Sequence, residues 1–186
     1  MRVAFINNGT KNRKLFDQLL SGSVITEFPS ERALDALQEP HDLIILSGSS
    51  RYPIVYHLDL LKGELELIRR ASVPLLGICY GAELLAVAYG GKLLDKGHKQ
   101  TGIYTIAPES RDPLFLGRES FDVYEAHRWV IETLPEEIEV LARSPAGPEV
   151  IRHKTRPQYG FQFHPEKMCD QTYGDELFRT LLGRLF

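Results

Sequence analysis

The chain has 186 residues, 43% of them hydrophobic, a formal charge of -3 and two cysteines. A chain of that length buries one substantial core, so a single domain over 1–186 is expected, with no room for a second large catalytic module. The charge balance leaves no basic footprint for nucleic acid, no segment approaches the roughly 20 apolar residues of a membrane span, and Cys79 and Cys169 read as free thiols of a cytoplasmic protein.

Apolar strand-like runs alternate with amphipathic stretches along the chain. A strand over Arg2–Ile6 leads to a helix over Lys11–Leu20. A strand over Asp42–Leu46 is followed by a helix over Lys62–Arg70, then a strand over Val73–Ile78 and a helix over Ala82–Tyr89. The second half is richer in strands, with Phe121–Glu125, Ile138–Ala142 and Tyr159–Phe163, before a last helix over Tyr173–Leu182. This order predicts an α/β fold with a mostly parallel central sheet flanked by helices. The runs "LIILSG" and "VPLLGI" are continuously apolar, as strands buried on both faces should be. Each carries Gly toward its carboxyl end, the edge at which open α/β sheets place ligands. Ser144–Pro148 and Arg156–Pro157 read as turns between late strands.

The stretch "GICYGAELLA" sets Cys79 between two glycines, after a strand and before a helix. Such a Gly-x-Cys-x-Gly segment suits a sharp strand-turn-helix elbow that exposes the central side chain. The amino end of the following helix would stabilise a thiolate there. A small cysteine packed under the sheet would satisfy the same local pattern. The stretch "YGFQFHPE" ends a strand with His164 and Glu166 two residues apart, so both side chains share one face of an extended segment. A cysteine nucleophile needs a base, and an imidazole base needs a carboxylate to fix its tautomer. Cys79, His164 and Glu166 supply those three roles.

On these segments the chain resembles the class I glutamine amidotransferases, whose glutaminase domains carry an elbow cysteine and a His-Pro-Glu pair. "LIILSGSS" occupies the place of that family's strand followed by Gly-Gly-Pro, "PLLGICYGAELLA" looks like its nucleophile elbow, and "QYGFQFHPE" is similar to its ending. Within the family, "DVYEAHRW", "LPEEIEVLARS" and "RPQYGFQFHPE" look most like the stand-alone glutaminase subunit of GMP synthetase. "HPEK" is equally at home in a histidine-type glutaminase, and an anthranilate-type partner stays open as well.

The resemblance implies glutamine hydrolysis through a γ-glutamyl thioester on Cys79, with ammonia passed to a separate ATP-pyrophosphatase synthetase subunit. It implies an oxyanion hole from the backbone N–H groups of Ser49 and Tyr80, and a grip on the substrate's α-amino and α-carboxylate groups by main chain around Gly48 and a loop Ala126–His127–Arg128. No metal and no organic cofactor is needed for that half-reaction. The chain departs from the family pattern at two places. Ser49 and Ser50 stand where glycine and proline are usual, and Glu83 stands where relatives carry a substrate-binding Gln. Glu83 reads either as an acceptor for the substrate ammonium, beside a thiolate its charge would disfavour, or as an exposed acid in a helix first turn. The serines suggest an oxyanion loop that a docked synthetase completes across Tyr52, Arg128 and Trp129. A chain with these altered loops could instead have become a regulatory module. His41, His57, His98 and His153 lack i, i+4 pairing or a cysteine cluster, which argues against a metal. The charge of "GELELIRR" reads as a solvated face.

Overall fold

In the computed structural model, residues 1–168 and 171–186 are described, and Cys169 lies outside them. The expected alternation is present: β1 (Arg2–Asn7), α1 (Arg13–Leu19), β2 (Val24–Pro29), β3 (Leu43–Leu46), α2 (Lys62–Arg70), β4 (Leu75–Ile78) and α3 (Tyr80–Ala88). Five further strands and a helix follow: β5 (Lys92–Pro108), β6 (Phe121–Thr133), β7 (Ile138–Ser144), β8 (Gly147–His153), β9 (Gln158–Phe161) and α4 (Gly174–Leu185). They form one sheet in the order β2-β1-β3-β4-β9-β8-β7-β5-β6. The strands from β2 to β9 in that order pair in parallel, and β8, β7, β5 and β6 extend the sheet antiparallel. No helix among the described residues is long and apolar enough to cross a membrane.

Strand periodicity explains why the central runs are apolar throughout. Phe5, Leu43, Ile45, Leu76 and Phe161 face Phe16 of α1 and Phe178 of α4, whereas Ala4, Ile6, Ile44 and Leu46 face Leu67 of α2 and Leu84 of α3. With both faces covered, β1, β3, β4 and β9 lie side by side and their carboxyl ends open on one edge. The segments after those ends are Asn8, Ser47–Ser49, Cys79 and Gln162–His164.

Four strands differ from the sequence expectation: β2, β5 and β8 have no counterpart in it, and β6 is longer. β2 and β5 carry few buried side chains, and β5 is paired as half of a ribbon with β6. The reading of Ser144–Pro148 as a turn captures only its tip, because β7 and β8 form a hairpin with Ser144 paired to Gly147. The segment Ala126–Arg128 is strand rather than loop: β6 continues eight residues beyond the expected end, held by β5 with Gln100 opposite His127 and Thr101 opposite Ala126.

Candidate active site

Cys79 occupies a backbone conformation that few L-residues adopt, with φ 51° and ψ -104° between β4 and α3. Such a position costs on the order of 1–3 kcal/mol and persists only when its surroundings over-determine it. The surroundings do so. The Cys79 N–H donates to the Phe161 carbonyl at 2.7 Å, and the Cys79 carbonyl accepts from Ala82 N and Glu83 N at 2.9 and 3.1 Å. A Cβ on Gly77 would lie 2.2 Å from the Gly81 carbonyl oxygen, and one on Gly81 would lie 2.3 Å from that of Leu46. Both glycines are therefore required by the approach of elbow to strand, and α3 starts at Tyr80, two residues earlier than the pattern suggested.

β9 ends at Phe161, and the chain then turns so that the His164 N–H donates to the Tyr124 carbonyl of β6 at 2.8 Å. His164 Nδ1 meets Glu166 Oε1 at 2.8 Å, and Asn12 Nδ2 donates to the same oxygen at 3.1 Å. A carboxylate acceptor assigns the hydrogen to Nδ1, which leaves Nε2 with a free lone pair. That nitrogen is buried and has no hydrogen-bond partner among the described residues. Gly48 lies between the two reactive side chains: a Cβ there would sit 3.2 Å from His164 Cε1 and 3.7 Å from Cys79 Cβ. Cys79 and His164 thus meet at Gly48, with Glu166 behind the imidazole.

The electrostatics correct two expectations. Burial pushes the Cys79 thiol well above its ordinary pKa, reinforced by Glu83 and Glu166, against a hydrogen bond from Tyr80 N–H and the charge of Lys99. The resting group is a thiol, because desolvation outweighs the helix terminus, an effect usually worth about 0.3–1 kcal/mol. Glu83 is 4% exposed rather than a surface acid. Burial raises its pKa to about 8, opposed by a hydrogen bond from Gln162 Nε2 at 3.1 Å. At neutral pH Glu83 is a neutral acid, isosteric with glutamine, and places no full charge beside Cys79.

A cleft of about 230 Å³ opens over Cys79, walled by Ser49–Pro53 on one side and Ala126–Trp129 on the other, with Tyr80, Glu83 and Lys99 completing it. Ser47 orients the oxyanion segment: its hydroxyl accepts from Asn8 N at 2.9 Å and donates to the Gly48 carbonyl at 3.0 Å. In a trans peptide that points the Ser49 N–H away from Ser47. The Arg128 guanidinium is paired with Asp95 at 2.7 and 2.8 Å, and the His127 ring is engaged by Trp129 O and Glu125. The main chain at these positions, not the side chains, is what remains for a ligand. Trp129 meets Tyr56 edge-on at 6.0 Å on the rim.

The family model described as glutamine amidotransferase class-I matches residues 6–183. The chain belongs to the class I glutamine amidotransferases. It is 31% identical to a glutamine-hydrolyzing GMP synthase subunit of Methanocaldococcus jannaschii over 82% of this chain and 79% of that one. It is also 31% identical to the corresponding GMP synthase subunit of Methanothermobacter thermautotrophicus, over 88% of each. A crystal structure of a GMP synthase subunit protein from Thermoplasma acidophilum superposes with a TM-score of 0.85 at 28% identity, covering 98% of this chain and 92% of that one.

For a class I glutamine amidotransferase, three contributors to this site, and one buried acid whose charge reaches Tyr80, escaped the sequence reading. Asn12 gives Glu166 a second donor from α1's entry. Lys99 reaches the cleft from a register shift in β5 between Asp95 and Gln100. Gln162 bonds Glu83. Glu64, in the stretch taken as a solvated face, is 1% exposed, and burial raises its pKa to about 8. Its place on the helix face of Leu61, Leu67 and Ile68 is the signal that could have marked its burial. His41 and His57 bond the Ala36 and Pro53 carbonyls, and His153 accepts from Thr155 N. All three are structural.

Proposed function

We propose that this amidotransferase is the glutaminase subunit of a two-subunit GMP synthetase. It hydrolyses glutamine to glutamate and ammonia in the cytoplasm and supplies the ammonia to a separate ATP-pyrophosphatase subunit that converts XMP to GMP. The observation that carries the hydrolytic half is the convergence of Cys79 and His164 on Gly48, with Glu166 on His164 Nδ1. The relatives named as separate subunits of GMP synthase support the choice of partner.

Because the thiol is protonated at rest, attack requires His164 Nε2 to take the Cys79 proton as sulfur bonds to the side-chain amide carbon. The oxyanion then falls to the N–H groups of Tyr80 and Ser49, each worth about 3 kcal/mol in such sites. His164 returns its proton to the departing nitrogen, releasing ammonia and leaving the thioester. It next takes a proton from water, whose hydroxyl attacks the thioester; the C–S bond breaks, glutamate leaves, and His164 returns the proton to the departing Cys79 sulfur. Glu166, steadied by Asn12, holds the ring through Nδ1. Glu83 in its neutral form and the main chain at Gly48 and Ala126–Arg128 receive the substrate's α-amino and α-carboxylate groups.

The test is reconstitution. With an ATP-pyrophosphatase subunit, ATP, XMP and glutamine, added chain should yield GMP at a rate lost with Cys79→Ser and bypassed by ammonium chloride. Glutamine hydrolysis without GMP formation would assign the ammonia to another acceptor, of the histidine or anthranilate type. No hydrolysis under any partner would leave a regulatory module.

A further inference from the structure

We propose that Glu125, His127 and Glu149 bind one divalent first-row transition ion, of the zinc or manganese class, at a buried site beside the glutamine cleft. This goes beyond the glutaminase reading and does not depend on it. Along β6, inward positions run Phe121, Val123, Glu125, His127, so an apolar face turns polar with the same period of two. That face packs over β8, which contributes Glu149. The three residues are 0%, 3% and 1% exposed. One ligand atom from each lies within 4.8 Å of the others.

The hydrogen bonding around the cluster leaves Glu125 and Glu149 one open oxygen each. Glu125 Oε2 accepts from Gln100 Nε2, and Glu149 Oε1 accepts from Ser144 Oγ at 2.7 Å. His127 Nδ1 lies 2.8 Å from the Trp129 carbonyl, an acceptor only, so Nδ1 carries a hydrogen. Glu125 Oε1 and Glu149 Oε2 are buried without a partner among the described residues. His127 Nε2 lies 3.1 Å from Glu125 Oε2, a contact bridged by a ring proton in the metal-free site and one that an ion would take over. A ligating histidine has its far nitrogen donated to a carbonyl, as Nδ1 is here, which leaves the near nitrogen to give up its proton to an ion. Glu125 and Glu149 lie together in the interior, where their charge is neutralised either by a proton held between them or by a divalent ion in its place.

The donor set narrows the ion. One imidazole and two carboxylates suit zinc or manganese, whereas magnesium and calcium prefer all-oxygen sites and copper(I) prefers sulfur. Access exists on two sides: His127 lines the glutamine cleft, and Lys96, Gln100 and Ser144 line a separate cleft of about 450 Å³. Bound there, the ion ties β6 to β8 and fixes the strand wall at Ala126–Arg128.

The experiment uses the whole chain, purified without chelator from zinc- and manganese-supplemented cells. Mass spectrometry of the metal content should find one ion per chain. EDTA should remove it and lower the thermal midpoint by several degrees, restored by one equivalent of zinc or manganese. Calorimetric titration of the stripped chain covers the case in which Glu149→Gln or His127→Gln fails to fold; in folded variants the Kd should rise at least about 100-fold. Substoichiometric metal with a midpoint indifferent to EDTA and to both ions overturns the proposal and leaves protons shared within the cluster. A stoichiometric ion retained by both variants overturns it as well, by placing the metal elsewhere.

Discussion

Replacing Glu83 with glutamine tests whether this position works as a neutral acid. Its folded pKa is about 8, against an ordinary 4.5. Between those values the folded state holds a proton that the unfolded state has released, so stability falls as pH rises from 4.5 and the loss levels off above 8. At pH 7 that costs about 3 kcal/mol, taking 1.36 kcal/mol per pH unit. From pH 6 to pH 8 Glu83 alone removes about 2 kcal/mol. Glutamine keeps the shape and can accept from Gln162, but it does not titrate. Urea unfolding of both proteins at pH 6 and pH 8 should therefore show Glu83→Gln stabilising, with the gain larger by about 2 kcal/mol at pH 8. Glu64, raised in the same direction, leaves a residual slope in both proteins. The variant should also lose any activity decline that sets in near pH 8, since an ionised Glu83 raises the Cys79 pKa. Equal slopes for the two proteins would rule out a neutral acid at this position.

Other outcomes follow from the same site. His164→Ala should lower kcat by about 10²–10⁴-fold in a glutaminase assay, while Glu166→Gln keeps a measurable fraction because it disturbs orientation alone. Lys99→Met should move the alkaline shift of thiol reactivity upward, read from the pH dependence of iodoacetamide labelling, because Lys99 is the charge that lowers the Cys79 pKa. If the Ser49 segment is completed by a docked synthetase, Ser49→Gly should raise the free chain's turnover toward the partner-bound rate, an effect of about 10²-fold for one oxyanion donor. A free chain already at full rate would dispose of that gate.

What the sequence made legible follows from range. β1, β3 and β4 announce themselves because burial on both faces needs unbroken apolar runs, and α2 falls at its expected bounds, Lys62–Arg70. The elbow and the His164–Glu166 pair are each local in the chain, so their spacing is readable, whereas their meeting at Gly48 depends on β3, β4 and β9 lying side by side. β5 is largely solvated, with its pairing set by a partner about 27 residues away in sequence at Gln100 and His127, and no local period marks it. Asn12 reaches Glu166 across 154 positions, and Gln162 reaches Glu83 across 79. Such pairings exist only once β9 lies beside β4. The thiolate expectation failed on magnitude, since a helix terminus is a small effect and complete burial a large one. Glu125 and His127 share the period of "VYEAH", but Glu149 joins them only because β6 folds over β8. A search for helical i, i+4 histidines could not find that cluster.

Everything proposed for the cleft rests on Cys79 being the glutamine-directed nucleophile, and electrophilic labelling decides that. Intact mass and peptide mapping after exposure to a diazo-ketone analogue of glutamine, with and without the synthetase partner, should find a single adduct on Cys79. Glutamine should protect against it, and Cys79→Ser should abolish it. An unlabelled Cys79, or an adduct carried by Cys169 and retained in Cys79→Ser, would show that the nucleophile lies elsewhere.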